Sequence, residues 1–350
     1  MYRKHLALSA LFFFVFVSAV CAQEYYARHY SVYDGLPSPE VYDVTQDSLG
    51  RIWFVTRGRL SLITYDGFKW RKIDTGLPRG HGIFNCISTD KRGNIWALDF
   101  NSFDGIFLFH NNKWKLITLP DTIHHRIHKA KDIQIIYRNG QPSVLILLNH
   151  GNLLLWENKK FYFLTKNKLP AKNIRTIKAI NNEFYVLDFN GLYVLQSRHL
   201  VPVPLPKEIS KEHFYSFCPA LPDTSLKDKM NLLLLTSSHL VHLYNGQFTK
   251  TPLNFKLNKF ALKHNYTVIP DGFGGAFIGS DFMLRHFNVF LKKWENIQLL
   301  KENKRIGITN IIRDKENNFW ITSKRGIFKI PSLRFLNFTQ SKNIFGEVTS

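Results

Sequence analysis

The chain has 350 residues, with 47 Lys+Arg against 26 Asp+Glu and a formal charge of +21. Phe, Trp and Tyr supply 15% of it and only three Cys are present, which excludes a disordered chain, a coiled coil and a disulfide scaffold. What remains is an aromatic, strongly basic globular protein whose length a single large β domain can fill. The charge by itself points to a polyanionic partner, nucleic acid included.

The N-terminus redirects that reading. Arg3 and Lys4 precede an apolar run from Leu6 to Val20, and Val20-Cys21-Ala22 closes it with small residues where a signal peptidase reads. Residues 1–22 are therefore predicted to be a secretory signal peptide, cut after Ala22. The run is short for a spanning helix, and no other stretch is long and apolar enough for one. The rest is expected to be periplasmic or secreted, where cellular DNA is seldom met, so nucleic acid drops out as a partner. Cys86 and Cys218 remain. An oxidising compartment would let them pair, but they read first as two separate buried thiols.

From residue 30 onward the sequence repeats. Segment 45–66 (TQDSLGRIWFVTRGRLSLITYD), segment 88–109 (STDKRGNIWALDFNSFDGIFLF) and segment 312–330 (IRDKENNFWITSKRGIFKI) share one order of parts. Asp opens a short polar turn with Gly or Asn, an apolar strand with Trp follows, then a loop and a second apolar strand. Trp53, Trp96 and Trp320 mark one place in each copy. Weaker copies fill the interval, with Val144, Tyr185, Leu234 and Phe277 standing where Trp would. The mean step is about 44 residues, the length of a four-stranded blade. Gly-Leu-Pro precedes the copies at 35–37 and 76–78, and Leu-Pro at 119–120, 169–170 and 205–206. Asp66-Gly67-Phe68-Lys69-Trp70 and Asn112-Lys113-Trp114-Lys115 read as outer strands.

Asp and Gly suit the turns because Asp bonds its own downstream backbone and Gly takes positive φ. Four short antiparallel strands per copy, without a helix signal, make a propeller blade. Seven copies run between about Tyr30 and Phe338. The fold class is thus all-β, a seven-bladed β-propeller of four-stranded antiparallel blades over residues 23–338. The aromatic residues are expected to pack blade on blade.

DGLPSPEVYDVTQDSLGRIWFVT (34–56), SLITYDG (61–67) and NNFWITSKRGIFKI (317–330) resemble the two-component regulator propeller repeat. The resemblance is specific in copies 1, 2 and 7 and degenerate in 3 to 6, and Ser61 stands where Gly is usual. It implies a periplasmic sensor region of a two-component phosphorelay, with carbohydrate sensing as one role. Longer proteins of this kind continue into a second propeller, a small β-sandwich, a membrane helix and a kinase or other output domain. Residues 339–350 include NIFGEVTS, which resembles the opening of copy 1, so the chain reads as a sensor interrupted at an eighth repeat. A freestanding secreted propeller is the alternative.

Propeller topology places the loops between second and third strands on the same face as the blade-to-blade connections. That upper face is expected to carry Arg57, Arg59, Arg79, His81, His150, Lys172, Arg305, Lys324 and Arg325, with Glu40 one of few acids among them. The opposite face mixes Asp47, Asp90, Asp271, Asp314 and Glu316 with Lys91, Arg92 and Lys315. One reading is an anion-attracting mouth for an acidic oligosaccharide or another anionic ligand, with Arg forking onto carboxylate or sulfate. The other is ordinary solvated loop charge. His124, His125 and His128 form a cluster with only Asp121 and Asp132 as nearby carboxylates, and zinc normally needs three well-placed ligands, so a polar loop insertion in blade 3 is expected rather than a metal site, and no cofactor motif is present. No hydrolase elbow or phosphate loop is seen either. The leading function is a non-catalytic sensor propeller. A propeller lyase or hydrolase acting on an acidic polysaccharide stays open, with His81 and His150 as first candidates, as does an interaction scaffold. A homodimer is compatible with the sequence.

Overall fold

A computed structural model describes residues 25, 27–58, 62–77, 81–99, 104–124, 129–164, 171, 174–220, 231–257, 266–300 and 305–331. The predicted leader and residues 339–350 lie outside the described residues. Seven four-stranded antiparallel sheets are present, and the only α-helix among the described residues is Asp121–His124. Neighbouring first strands touch one another around a ring, including the first strand of blade 7 against that of blade 1. The fold is a closed seven-bladed propeller.

Blades 1 to 6 are contiguous, with first strands Val41–Gln46, Phe84–Thr89, Ala130–Arg138, Ile174–Ile180, Phe214–Pro219 and Thr267–Pro270. Blade 7 is not. Its inner strands are Ile308–Arg313, Phe319–Ser323 and Gly326–Ile330, and its outer strand is Arg28–Tyr30 from the other end of the chain. Tyr30 pairs with Ile327 and His29 with Phe328, so the ring closes by strand pairing. Gly326 permits the close approach. Its φ is +105°, and a Cβ there would stand 2.3 Å from the Tyr30 carbonyl oxygen.

Each interface between blades is an apolar layer. Trp320 of blade 7 is 1% exposed and packs with Tyr30, Phe54 and Tyr65, its ring centroid 5.6 Å from those of Phe54 and Tyr65. Trp53 faces blade 2 in the same way, among Phe84, Ile87 and Phe107. Trp96 faces blade 3, among Ile133, Val144 and Ile146. Tyr185 and Phe277 also face the following blade, as their marks predict. Val144 and Leu234 face the preceding blade instead, and their neighbours Leu145 and Leu233 take the Trp position. Cys86 and Cys218 are buried, unpaired, and in blades 2 and 5. Burial pushes both thiols up, Cys218 to about 12.

The recurrent Asp has a bonding role as well as a turn role. Asp314 Oδ2 accepts from the indole Nε1 of Trp320 at 2.7 Å and from Asn318 Nδ2, while Oδ1 accepts from the Asn318 amide. Asp47 holds Trp53 at 2.8 Å and Asp90 holds Trp96 at 2.8 Å. The fourth turn residue is left-handed in each case, at Gly50, Gly93 and Asn317. Blade 6 keeps Asp271 but puts His286 at the indole's place, with His286 Nε2 2.9 Å from Asp271 Oδ2. Blades 3 and 4 abandon the motif. Asn139-Gly140 and Asn181-Asn182 close their first hairpins with two left-handed residues, the type I′ geometry.

Candidate functional site

Six of the seven first strands begin with the same irregularity. Their register slips across one residue between Val41 and Asp43, Phe84 and Cys86, Ala130 and Asp132, Ile174 and Thr176, Phe214 and Ser216, and Ile308 and Asn310. The skipped residue of a bulge has no partner across the ladder, and its side chain is re-aimed. The skipped residues are Tyr42, Asn85, Lys131, Arg175, Tyr215 and Thr309, and all six line one cavity of about 470 Å³. Tyr266 joins them from blade 6 and Lys324 from the loop after the second strand of blade 7. This is the upper end of the central channel, because first strands enter from that face.

One residue further along, every first strand except that of blade 2, which has Cys86 there, adds to a belt of small polar side chains: Asp43, Asp132, Thr176, Ser216, Thr267 and Asn310. The belt stitches blades together. Asp43 accepts from the Ile87 amide of blade 2 at 2.9 Å and from Asn310 Nδ2 of blade 7 at 2.7 Å. Burial, with Asp132 adding to it, pushes the Asp43 carboxyl up to about 6 against the pull of those hydrogen bonds. Burial raises Asp132 as well, opposed by Lys178, Gln134 and the amides of Ile133 and Ile177.

The cations above the belt sit close to one another. Burial holds Lys131 below the usual ammonium range and the charge of Arg175 adds to that. The Arg175 guanidinium lies over two rings, 4.9 Å from the centroid of Phe189 and 5.6 Å from that of Tyr215. Tyr215 meets Tyr266 edge-on at 5.3 Å. The Tyr215 side chain is buried, and its hydroxyl has no hydrogen-bond partner among the described residues. Asn85 donates its Nδ2 to the Ala130 carbonyl at 2.7 Å, and its buried Oδ1 has no donor among the described residues.

The residues marked from sequence divide. Lys324 lines the channel mouth. Arg305 is engaged by Asp281, and the Arg325 Nε donates to the Arg305 carbonyl at 3.0 Å. Arg57 is ion-paired with Glu40 at 2.9 Å. His81 stands 3.5 Å from Asp104 and 4.0 Å from Asp99. His150 falls in the short 3-10 turn Asn149–Gly151 after the second strand of blade 3. Arg59, Arg79 and Lys172 lie outside the described residues, as do His125 and His128. Among the described residues the predicted set thus shares only Lys324 with the cavity lining, and the bulge ring is the part it missed. A signal for that ring was present. In blades 1, 4 and 7 the first strand opens with a buried residue, two half-buried polar ones and a buried one, as in Val41-Tyr42-Asp43-Val44.

Residues 35–58 match the family model for the two component regulator propeller. No curated protein matches the chain by sequence. Among solved structures, the extracellular domain of the hybrid two component system BT4673 from B. thetaiotaomicron is 18% identical, with a TM-score of 0.59 over 88% of this chain and 40% of that one. That of the hybrid two component system BT3049 from the same organism is 16% identical, with a TM-score of 0.61 over 87% and 42%. The chain therefore spans about two fifths of those extracellular domains. Virginiamycin B lyase from Staphylococcus aureus is 12% identical, with a TM-score of 0.61 over 87% of this chain and 98% of that one. At these identities the likeness establishes the shared propeller fold.

Proposed function

We propose that this propeller, which carries the two component regulator propeller repeat, is the ligand-sensing part of a two-component-type signalling system. It works outside the cytoplasm, in the periplasm or as a secreted domain, and does no chemistry itself. The observation that carries this reading is the repeat match at residues 35–58, set in a propeller of the same fold as two extracellular sensor domains. No helix among the described residues is long and apolar enough to cross a membrane. The basic chain and the Lys and Arg residues at the channel mouth favour an anionic ligand, an acidic oligosaccharide among the options. A further propeller and signalling domains would then read the state of this one.

The likeness to virginiamycin B lyase keeps a propeller enzyme as the competing reading, since one fold hosts many functions. The test compares the transcripts of a strain lacking the chain with those of its complemented parent across a panel of anionic and neutral growth substrates. A sensor predicts that induction of one gene set is lost on one substrate class. Purified chain that instead cleaves an acidic polysaccharide, releasing unsaturated or reducing ends, would overturn the non-catalytic reading.

A further inference from the structure

The upper end of the channel combines two features that ordinary propeller packing does not require. Two cations, Lys131 and Arg175, occupy the same bulge position on adjacent blades. Like charges so placed repel, and Arg175, half-buried, also gives up hydration to be there. Lys131 makes no ion pair among the described residues, and Arg175 is the one charge that acts on it. Among the carboxylates lining the cavity, Asp43 is bonded to the amides of Val44 and Ile87 and to Asn310, Asp132 to Gln134 and backbone amides with Lys178 acting on it, and Asp281 to Arg305, while Asp188, outside that lining, acts on Arg175. The second feature is polar but uncharged. A buried hydroxyl, Tyr215 Oη of blade 5, and a buried acceptor, Asn85 Oδ1 of blade 2, belong to residues lining this cavity and have no partner among the described residues. Buried polar groups are normally satisfied, so an orphaned pair at a cavity wall marks a place where something else supplies the bonds.

We propose that Asn85, Lys131, Arg175 and Tyr215 form a binding site for a compact hydroxycarboxylate within the channel mouth. The inference rests on the sensor reading and narrows its ligand class. The ligand carboxylate lies between Lys131 and Arg175, where it relieves their repulsion. Arg175 is held by the rings of Phe189 and Tyr215, so little side-chain freedom is lost on binding. Ligand hydroxyls donate to Asn85 Oδ1 and exchange a hydrogen bond with Tyr215 Oη. Tyr215 and Tyr266 offer an apolar wall to a ring or carbon chain. A volume of about 470 Å³ suits a small molecule rather than a polymer threaded through.

Sugar acids and open-chain hydroxyacids share this chemistry, and calorimetry on the full chain separates them. The probes are D-glucuronate, L-malate, D-glucose, acetate and inorganic phosphate. Glucuronate or malate is expected to bind, with glucose and acetate at least tenfold weaker, because each lacks half of the recognised groups. The preferred one of the first two identifies the source. Arg175→Gln and Lys131→Gln should each weaken binding at least tenfold, with a ligand-free melting temperature no lower than the parent's because one of two repelling charges is gone. Should Arg175→Gln fail to fold, Lys131→Gln, at a more exposed position, still decides. Equal binding of glucose, binding of phosphate alone, binding unaffected by the substitutions, or no binding of either hydroxycarboxylate overturns the site. None of these results removes a transcriptional phenotype, so the sensor reading stands or falls on the strain comparison.

Discussion

Blades 7, 1 and 2 and blades 3 and 4 reach the same architecture by different local chemistry. In the first group an Asp at the turn holds both the turn backbone and the indole of a Trp two strand residues away from the hairpin, so turn and interface form one bonded unit. In the second group the interface residue is Leu145 or Tyr185, and the turn is a two-residue left-handed hairpin. Part of the fastening passes to Asn182, which accepts from the Tyr137 amide at 3.0 Å and donates to the Tyr137 carbonyl. A blade is thus specified by a buried large side chain facing the next blade and by a satisfied turn. The Asp–Trp pair is one solution among several.

Three substitutions grade that difference by chemical denaturation. Trp320→Ala should cost the most, about 3–5 kcal/mol, because it empties the layer where blades 7 and 1 close the ring and strands the Asp314 carboxylate. Asp314→Ala keeps the indole but removes the acceptor for Trp320 Nε1, Asn318 Nδ2 and the Asn318 amide, and should cost about 2–3 kcal/mol. Asn182→Ala, in the second group, should cost about 1–2 kcal/mol. If Asn182→Ala proved as costly as Trp320→Ala, the two groups would not differ in the way described.

An effect of about the same size as that of Asn182→Ala is a pH dependence of opposite sign at two carboxylates. At Asp90 burial opposes ionisation, but bonds from Trp96, Tyr137 and Asn94 win and hold its carboxyl below the usual range. Its stabilisation is present above the unfolded value and is lost as pH falls through the folded one. Asp43 is the reverse. Raised to about 6, it contributes stability that is full below the unfolded value near 3.8 and is lost as pH rises through about 6. The stability of Asp43→Asn relative to the parent chain should therefore improve by about 1–2 kcal/mol between pH 4 and pH 7. A flat difference over that window would mean that its surroundings do not raise the Asp43 carboxyl.

The fold was legible because its strongest signals are local. Asp, a left-handed Gly or Asn, and Trp fall within ten residues of one another, and each has a bonding reason to recur. Register was less legible where a strand is apolar on both faces. Val144-Leu145-Ile146-Leu147 and Leu232-Leu233-Leu234-Leu235 are buried throughout, so alternation cannot say which residue faces which blade, and the marks at Val144 and Leu234 fall one place off. The outer strand of blade 7 was hidden for another reason: Arg28–Tyr30 pairs with residues about three hundred positions away. At the site, loop composition pointed to Lys324 but not to the bulge ring. A bulge is a property of the pairing between two strands, so the polar pairs that open the first strands of blades 1, 4 and 7 hint at it, while the Phe214-Tyr215-Ser216-Phe217 opening of blade 5, buried throughout, does not.

The central functional claim is that recognition sits in the channel rather than on the loop tips. It is tested most directly by titrating D-glucuronate and L-malate into two variants of the full chain, Arg175→Gln and the double variant Arg57→Gln with Arg325→Gln, at low and high salt. The channel account predicts that Arg175→Gln loses at least tenfold in affinity and most of its salt dependence, while the double variant binds as the parent does. Binding lost in the double variant and kept in Arg175→Gln would contradict it and return the ligand to the loops.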